Sequence, residues 1–249
     1  VSSFGVGYDN VDVQAAAARG IVVTNTPGVL DEEVADLSLG LLLSTIRQMP
    51  QAERFLRAGQ WLERPFPLSP TLRGRNVGIL GLGGIGKAIA RRLEGFGVTI
   101  AYHGRTRQDA ISYPWYPTPL ALAEATDTLI AILPGGAATR HIVDAAVLRA
   151  LGPSGVFINV ARGSVVDQEA LISALSDGTI LAAGLDVYAD EPSVPAALLD
   201  LPNAVLLPHV GSGSEHTRNA MGKLVADNLV AWYETGRPLT PVAETRYEG

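Results

Sequence analysis

The sequence predicts an α/β fold built on a doubly wound parallel sheet, and three observations carry that prediction. Short apolar runs alternate with stretches of helical periodicity along most of the 249 residues. The runs are apolar nearly throughout rather than at every second residue, as expected of strands covered on both faces. A glycine cluster, GLGGIG, stands where one such run gives way to a helical segment.

Taken in order, Asp31 is suited to cap a helix running to about Met49. The Pro-rich stretch WLERPFPLSPTLRGR, residues 61–75, follows as a connector. Val77 to Leu80 reads as a short buried strand, Gly84 to Leu93 as a helix, and Val98 to Tyr102 as the next strand, which makes one βαβ unit. The alternation continues through TLIAIL at Thr128, a helix around Thr139 to Leu151, GVFINVA at Gly155 and a helix from Asp167 to Ser176. Two further strands, in LAAGLDVY and AVLLPH, and a long closing helix from Glu215 to Thr235 complete the chain.

Composition limits the function classes. A hydrophobic share of 47% with 18% charged residues is that of a folded domain with a sizeable core. The net charge of −6 argues against nucleic acid or an anionic membrane as the main partner, while leaving room for a local cationic patch. The absence of cysteine excludes a disulfide framework, a thiol nucleophile and a thiolate metal site, and is compatible with the cytoplasm. The longest apolar run, Leu37 to Ile46, is far short of the roughly 20 residues that span a bilayer.

The sharpest motif is GILGLGGIGKAIARR. Gly81, Gly83 and Gly86 form G-x-G-x-x-G between a strand and a helix, with Gly84 and Ile85 inside it. The first glycine permits a tight turn, the second lets backbone approach a pyrophosphate, and the third lets helix and strand pack closely. The helix N-terminus then supplies amide donors and a positive dipole, so the expected ligand is a dinucleotide. In that arrangement an acid about 20 residues on accepts hydrogen bonds from the adenosine ribose. Here His103 stands at the strand end, and no acid occurs until Asp109. Arg105, Thr106 and Arg107 instead suit a 2′-phosphate, because guanidinium groups bind phosphate oxygens in pairs. NADP(H) is therefore the expected cofactor, with NAD(H) weaker; Arg107 ranks below Arg105 because it can also pair with Asp109.

Three stretches, NVARGSVVD, GLDVYADEP and LPHVGSGSEHTR, each set a polar side chain near the end of an apolar strand. They offer Arg162, Glu191 and His209. Together with a dinucleotide these are what a 2-oxo acid reductase needs: a cation for carboxylate and carbonyl, a proton donor, and a carboxylate partner for that donor.

On these motifs, with GVGYDNVD and TPGVLDEEVADLSLGLLL, the chain resembles the D-2-hydroxyacid dehydrogenase family, nearest its NADPH-dependent glyoxylate and hydroxypyruvate reductases. The resemblance implies that Arg162 binds substrate, His209 is the acid/base and Glu191 its partner. It implies that the amides of Val6 and Gly7 hold the substrate carboxylate, and that Pro134, Val160, Ala161, Asp186 and Gly211 join the cofactor site. A homodimer built partly by the helix from Asp31 is also implied, with Trp61 approaching the neighbouring active site.

Members of the family ordinarily carry a longer segment before VSSFGVG. Residues 1–30 are accordingly expected as the remnant of a truncated substrate-binding domain with exposed apolar surface, 31–218 as the Rossmann-like dinucleotide domain, and 219–249 as a helix and tail returning toward the substrate domain. Two rival readings stand beside this one: a non-catalytic dinucleotide-sensing module of the same fold, and an NAD-linked member acting on another 2-hydroxy acid.

Overall fold

The computed structural model describes residues 1–245. Its contacts divide the chain into two compact units, one of Val1–Val34 with the chain from Ser212 on, the other of Ala35–Gly211. The larger unit holds a seven-stranded, wholly parallel sheet. Its strands are β1 (Asn76–Leu80), β2 (Thr99–His103), β3 (Trp115–Tyr116), β4 (Thr128–Ala131), β5 (Val156–Asn159), β6 (Ala182–Leu185) and β7 (Ala204–Leu206), in the spatial order β3-β2-β1-β4-β5-β6-β7. The strand order reverses between β1 and β4, the place where doubly wound sheets receive their ligands.

Every residue of β4, β5 and β6 is buried, which accounts for their unbroken apolar sequence. The register carries one row across the sheet through His103, Leu80, Ala131, Asn159, Leu185 and Leu206. Because all strands are parallel, the residues following this row gather at one end of the sheet. At the opposite end the buried Arg75 holds three strand starts together. Its guanidinium donates to Thr128 Oγ1 at 2.7 Å and to the carbonyls of Asp127 at 2.7 Å and Ser154 at 2.6 Å, and it pairs with Asp127 at 3.0 Å.

Helices start where short polar side chains can satisfy the first free amides. In the larger unit, α4 (Gly84–Glu94) and α7 (Gln168–Ser176) fall close to where the sequence sets them, and Asp167 caps α7 by accepting from the Ala170 amide. Several elements depart from expectation. The helix expected from an Asp31 cap to about Met49 is α2 (Asp31–Ile46), which holds Asp31 as its first residue and ends early; left-handed Gln48 follows, and α3 (Met49–Arg57), which was not expected, begins with Pro50 in its first turn. Proline has no amide to donate and its ring obstructs the preceding turn, so it kinks or breaks a helix interior but is tolerated in a first turn.

The helix expected around Thr139 to Leu151 is only α6 (Ala145–Leu151). His141 and Val143 are instead backbone-bonded to Ser164 and Val165, and Asp144 caps the helix that follows. β3 and α5 (Pro119–Glu124), capped by Thr118, were not expected at all. The remaining α-helix of this unit is the short α8 (Ala196–Leu199).

The smaller unit contains α1 (Val13–Ala18), capped by Asp12, and the long α9 (Glu215–Thr235), capped by Ser214 and closed by left-handed Gly236. Ala16, Val23 and Val242 form its small core, and Thr24 bridges to both Ser2 and Pro241. Val1, Phe4, Ile21 and Tyr233 of this unit are exposed. No helix of the described residues is long and apolar enough to cross a membrane.

Candidate active site

The glycine cluster forms the turn from β1 into α4. Gly81 has φ +101°, and a Cβ there would come within 2.6 Å of the Ile132 carbonyl oxygen; at Gly86 it would lie 2.1 Å from the Gly81 oxygen. Both positions therefore exclude any side chain. A Cβ at Gly83, by contrast, would meet nothing within 4 Å, so the space beside it is open. The first intrahelical bond runs from Lys87 N to Gly83 O, which leaves the amides of Gly84, Ile85 and Gly86 without intrahelical acceptors. No side chain caps them and the first turn carries no acid. These donors, the open space and the absence of negative charge fit the pyrophosphate of a dinucleotide.

His103 closes β2, and its Nδ1 lies 2.9 Å from the Tyr116 carbonyl. An acceptor at that distance requires the proton on Nδ1, which leaves Nε2 of the neutral ring as an acceptor. Gly104 O receives the Trp115 indole at 3.2 Å. Arg105, Thr106 and Arg107 follow, all exposed, with no ion pair to any described residue. The loop thus presents two guanidinium groups and a hydroxyl to solvent.

Beyond the ends of β5, β6 and β7 stand the other candidates. His209, in a left-handed conformation with φ +54°, sets Nδ1 2.6 Å from Glu191 Oε2. The second carboxylate oxygen, Oε1, accepts from the Tyr188 amide at 3.0 Å, so Glu191 is oriented from both sides. A carboxylate on Nδ1 fixes that proton there and directs Nε2 away as the exchangeable position. Arg162 follows β5 after Val160 and Ala161, and donates to the Ala161 carbonyl at 2.8 Å. Asp186, directly after β6, accepts from the amides of Val210 at 2.8 Å and Gly211 at 2.8 Å, the two residues after His209.

Burial holds the Asp186 carboxyl above the usual carboxylate range, against the lowering effect of those two amides. Burial, with the nearby Asp186 charge, likewise pushes the Tyr188 phenol up to about 12. Pro134 accepts from Thr139 Oγ1 at 2.7 Å in the loop after β4. Val6 and Gly7 belong to the smaller unit, where the Val6 carbonyl accepts from Asn25 Nδ2 at 2.8 Å. Trp61, in the short turn after α3, is 67% exposed.

Several residues outside the sequence candidates build this arrangement. Fully buried Asn159 accepts from the Ala161 amide and donates to the Arg162 carbonyl, both at 3.1 Å, and so shapes the loop that carries the arginine. A Cβ on Gly163 would lie 1.8 Å from the Tyr188 carbonyl atoms, so only glycine permits the arginine loop to meet the loop that leads to Glu191. Gln168 Oε1 accepts from the Ala189 amide at 3.1 Å, and the Tyr188 hydroxyl donates to the Leu207 carbonyl at 2.8 Å. A polar Asn ending an otherwise apolar strand was the available signal for the first of these.

Comparison with known proteins places this geometry. Residues 39–211 match the model of the D-isomer-specific 2-hydroxyacid dehydrogenase NAD-binding domain. A glyoxylate/hydroxypyruvate reductase of Arabidopsis thaliana is 48% identical over 242 residues, covering 97% of this chain and 77% of the relative. The hydroxyphenylpyruvate reductase of Plectranthus scutellarioides is 45% identical over 243 residues, covering 97% and 77%. The structure of an NADPH-dependent glyoxylate/hydroxypyruvate reductase from Sinorhizobium meliloti, in complex with NADP and malonate, superposes with a TM-score of 0.97 at 62% identity, covering 100% of this chain and 79% of that one. With more than half of its length matching the domain model, and these relatives aligned over nearly all of it, the chain belongs to the D-isomer-specific 2-hydroxyacid dehydrogenases.

Proposed function

We propose that this protein reduces a small 2-oxo acid of the glyoxylate and hydroxypyruvate type to the D-2-hydroxy acid, using NADPH. The observation that carries the reading is the 2.6 Å pair of His209 and Glu191, at the same end of the sheet as the glycine cradle. A reduced dinucleotide held by its pyrophosphate on the free amides of Gly84, Ile85 and Gly86 would supply the hydride. The residues of this chain supply the rest. Arg162 binds the substrate carboxylate and polarises the carbonyl, while His209 delivers the Nε2 proton to the carbonyl oxygen. Glu191 accepts Nδ1–H and fixes the ring. The result is one hydride to carbon and one proton to oxygen, which balances the reduction.

Preference for NADP(H) over NAD(H) rests on Arg105 and Thr106, at a strand end that lacks the ribose-binding acid. It is also in keeping with the NADP complex of the Sinorhizobium meliloti relative. A homodimer is proposed on the family resemblance, to be checked by sedimentation.

The function is tested by following NADPH absorbance with glyoxylate, hydroxypyruvate and hydroxyphenylpyruvate, alongside titrations of both cofactors with the unmodified protein and Arg105→Ala. Turnover of the small acids, with a preference for NADPH of at least about tenfold that Arg105→Ala abolishes, is expected; that factor corresponds to roughly 1.4 kcal/mol. NADPH binding without turnover of any 2-oxo acid would favour a sensing module instead. Equal affinity for both cofactors would sink the role given to Arg105.

A further inference from the structure

The loop that carries Arg105 and Arg107 is fastened at its far end by a residue to which no role has been given. The Gln108 amide N donates to the hydroxyl of Tyr102 at 2.8 Å, and its side-chain Nε2 donates to the Leu82 carbonyl at 2.9 Å. Tyr102 is wholly buried in β2. Leu82 lies between Gly81 and Gly83, inside the glycine turn. One side chain therefore joins the arginine loop to the turn whose amides face the pyrophosphate site.

We propose that Gln108, supported by Tyr102, is a positioning residue for cofactor selectivity: it fixes the arginine loop at a set distance from the glycine turn, so that the pyrophosphate and the 2′-phosphate of one dinucleotide are met together. This rests on the NADPH reading above. The physical argument is preorganisation. Exposed arginines carry large side-chain entropy, and a loop free to move would add backbone entropy to what binding must overcome. At the near end the loop is held by Trp115 on Gly104 and by the His103 ring on Tyr116, so a bond at Gln108 leaves only residues 105–107 between fixed points. A dinucleotide without a 2′-phosphate makes no demand on those three residues. The clamp therefore favours one cofactor over the other without touching either phosphate itself.

The test uses the intact chain, Gln108→Leu, which keeps the bulk and loses the donor, and Tyr102→Phe. Two readouts are taken. In the cofactor-free protein, trypsin cleavage after Arg105 and Arg107 reports loop opening and does not depend on cofactor preference. Dissociation constants for NADPH and NADH report its consequence. We expect faster cleavage in both variants. For Gln108→Leu the NADPH constant should weaken by about 2- to 13-fold, the range given by loss of one hydrogen bond, while NADH stays close to its starting value. Tyr102→Phe should act in the same direction.

Unchanged cleavage in Gln108→Leu overturns the clamp. Faster cleavage with equal losses for both cofactors, or with no loss for either, overturns the role in selectivity and leaves Gln108 a structural residue. If the unmodified protein itself shows no preference for NADPH, the reading of Arg105 fails and the selectivity role falls with it, whereas the cleavage result still decides whether Gln108 holds the loop.

Discussion

At the scale of single residues, the site depends on where protons and lone pairs are pinned. His209 has one ring nitrogen committed to Glu191 at 2.6 Å, so its work falls to the other. Replacing His209 by Ala should cut turnover by about 10²–10⁴-fold and leave NADPH affinity close to its starting value. Steady-state kinetics with a fluorescence titration would decide it, and near-normal turnover would remove His209 from the mechanism. Tyr188 yields a prediction of another kind. Folding raises its pKa to about 12, so between about pH 10 and that value the folded chain retains a proton that the unfolded chain releases. The stabilisation this gives is complete below about pH 10 and is lost as pH climbs toward 12. Urea unfolding at several alkaline pH values should show a shallower decline for Tyr188→Phe than for the unmodified chain. Tyr113, also raised to about 12, keeps some of the slope in both. Parallel slopes would contradict the assignment.

At the scale of elements, Arg162, Glu191 and His209, to which the proposed chemistry is given, are delivered by loops that follow β5, β6 and β7, and those loops are locked to one another by backbone. Asp186 reaches from the end of β6 to the amides after His209, and Gly163 meets the carbonyl of Tyr188. Main chain cannot yield as a flexible side chain can. Gly163→Ala should therefore force the two loops apart, lowering stability by about 1–3 kcal/mol and reducing turnover together. Thermal melting and kinetics on the same preparation test this; an alanine variant unchanged in both would mean that the loops part without consequence.

At the scale of the whole molecule, the sheet gathers residues distant in sequence at the ends of parallel strands, and the dinucleotide site lies within the larger unit, Ala35–Gly211. Ligand binding to the folded form alone stabilises it by mass action. NADPH at about 100 times its dissociation constant should add about 2.7 kcal/mol to the unfolding free energy. In hydrogen exchange the slowing should centre on residues 81–86 and 103–108. Slowing confined to the smaller unit would place the cofactor elsewhere.

The strands, the glycine turn, the arginine loop and the placement of Arg162, Glu191 and His209 beyond strand ends were legible in the sequence, because unbroken apolar runs and fixed motif spacing are local properties of the chain. The two-residue β3, the short α5 and the break between α2 and α3 were not. Such brief elements bury too little to leave a periodic pattern. Tertiary structure alone decided which residues hold the site in place. Asn159 at the end of β5, Gly163 against Tyr188, Asp186 on the amides of Val210 and Gly211, and Gln108 on Leu82 act through partners many residues away or through backbone that carries no sequence signature. Sequence names the groups that do chemistry, since these must be particular side chains; the distances between them depend on hydrogen bonds to main chain, which any residue can offer and only folding selects.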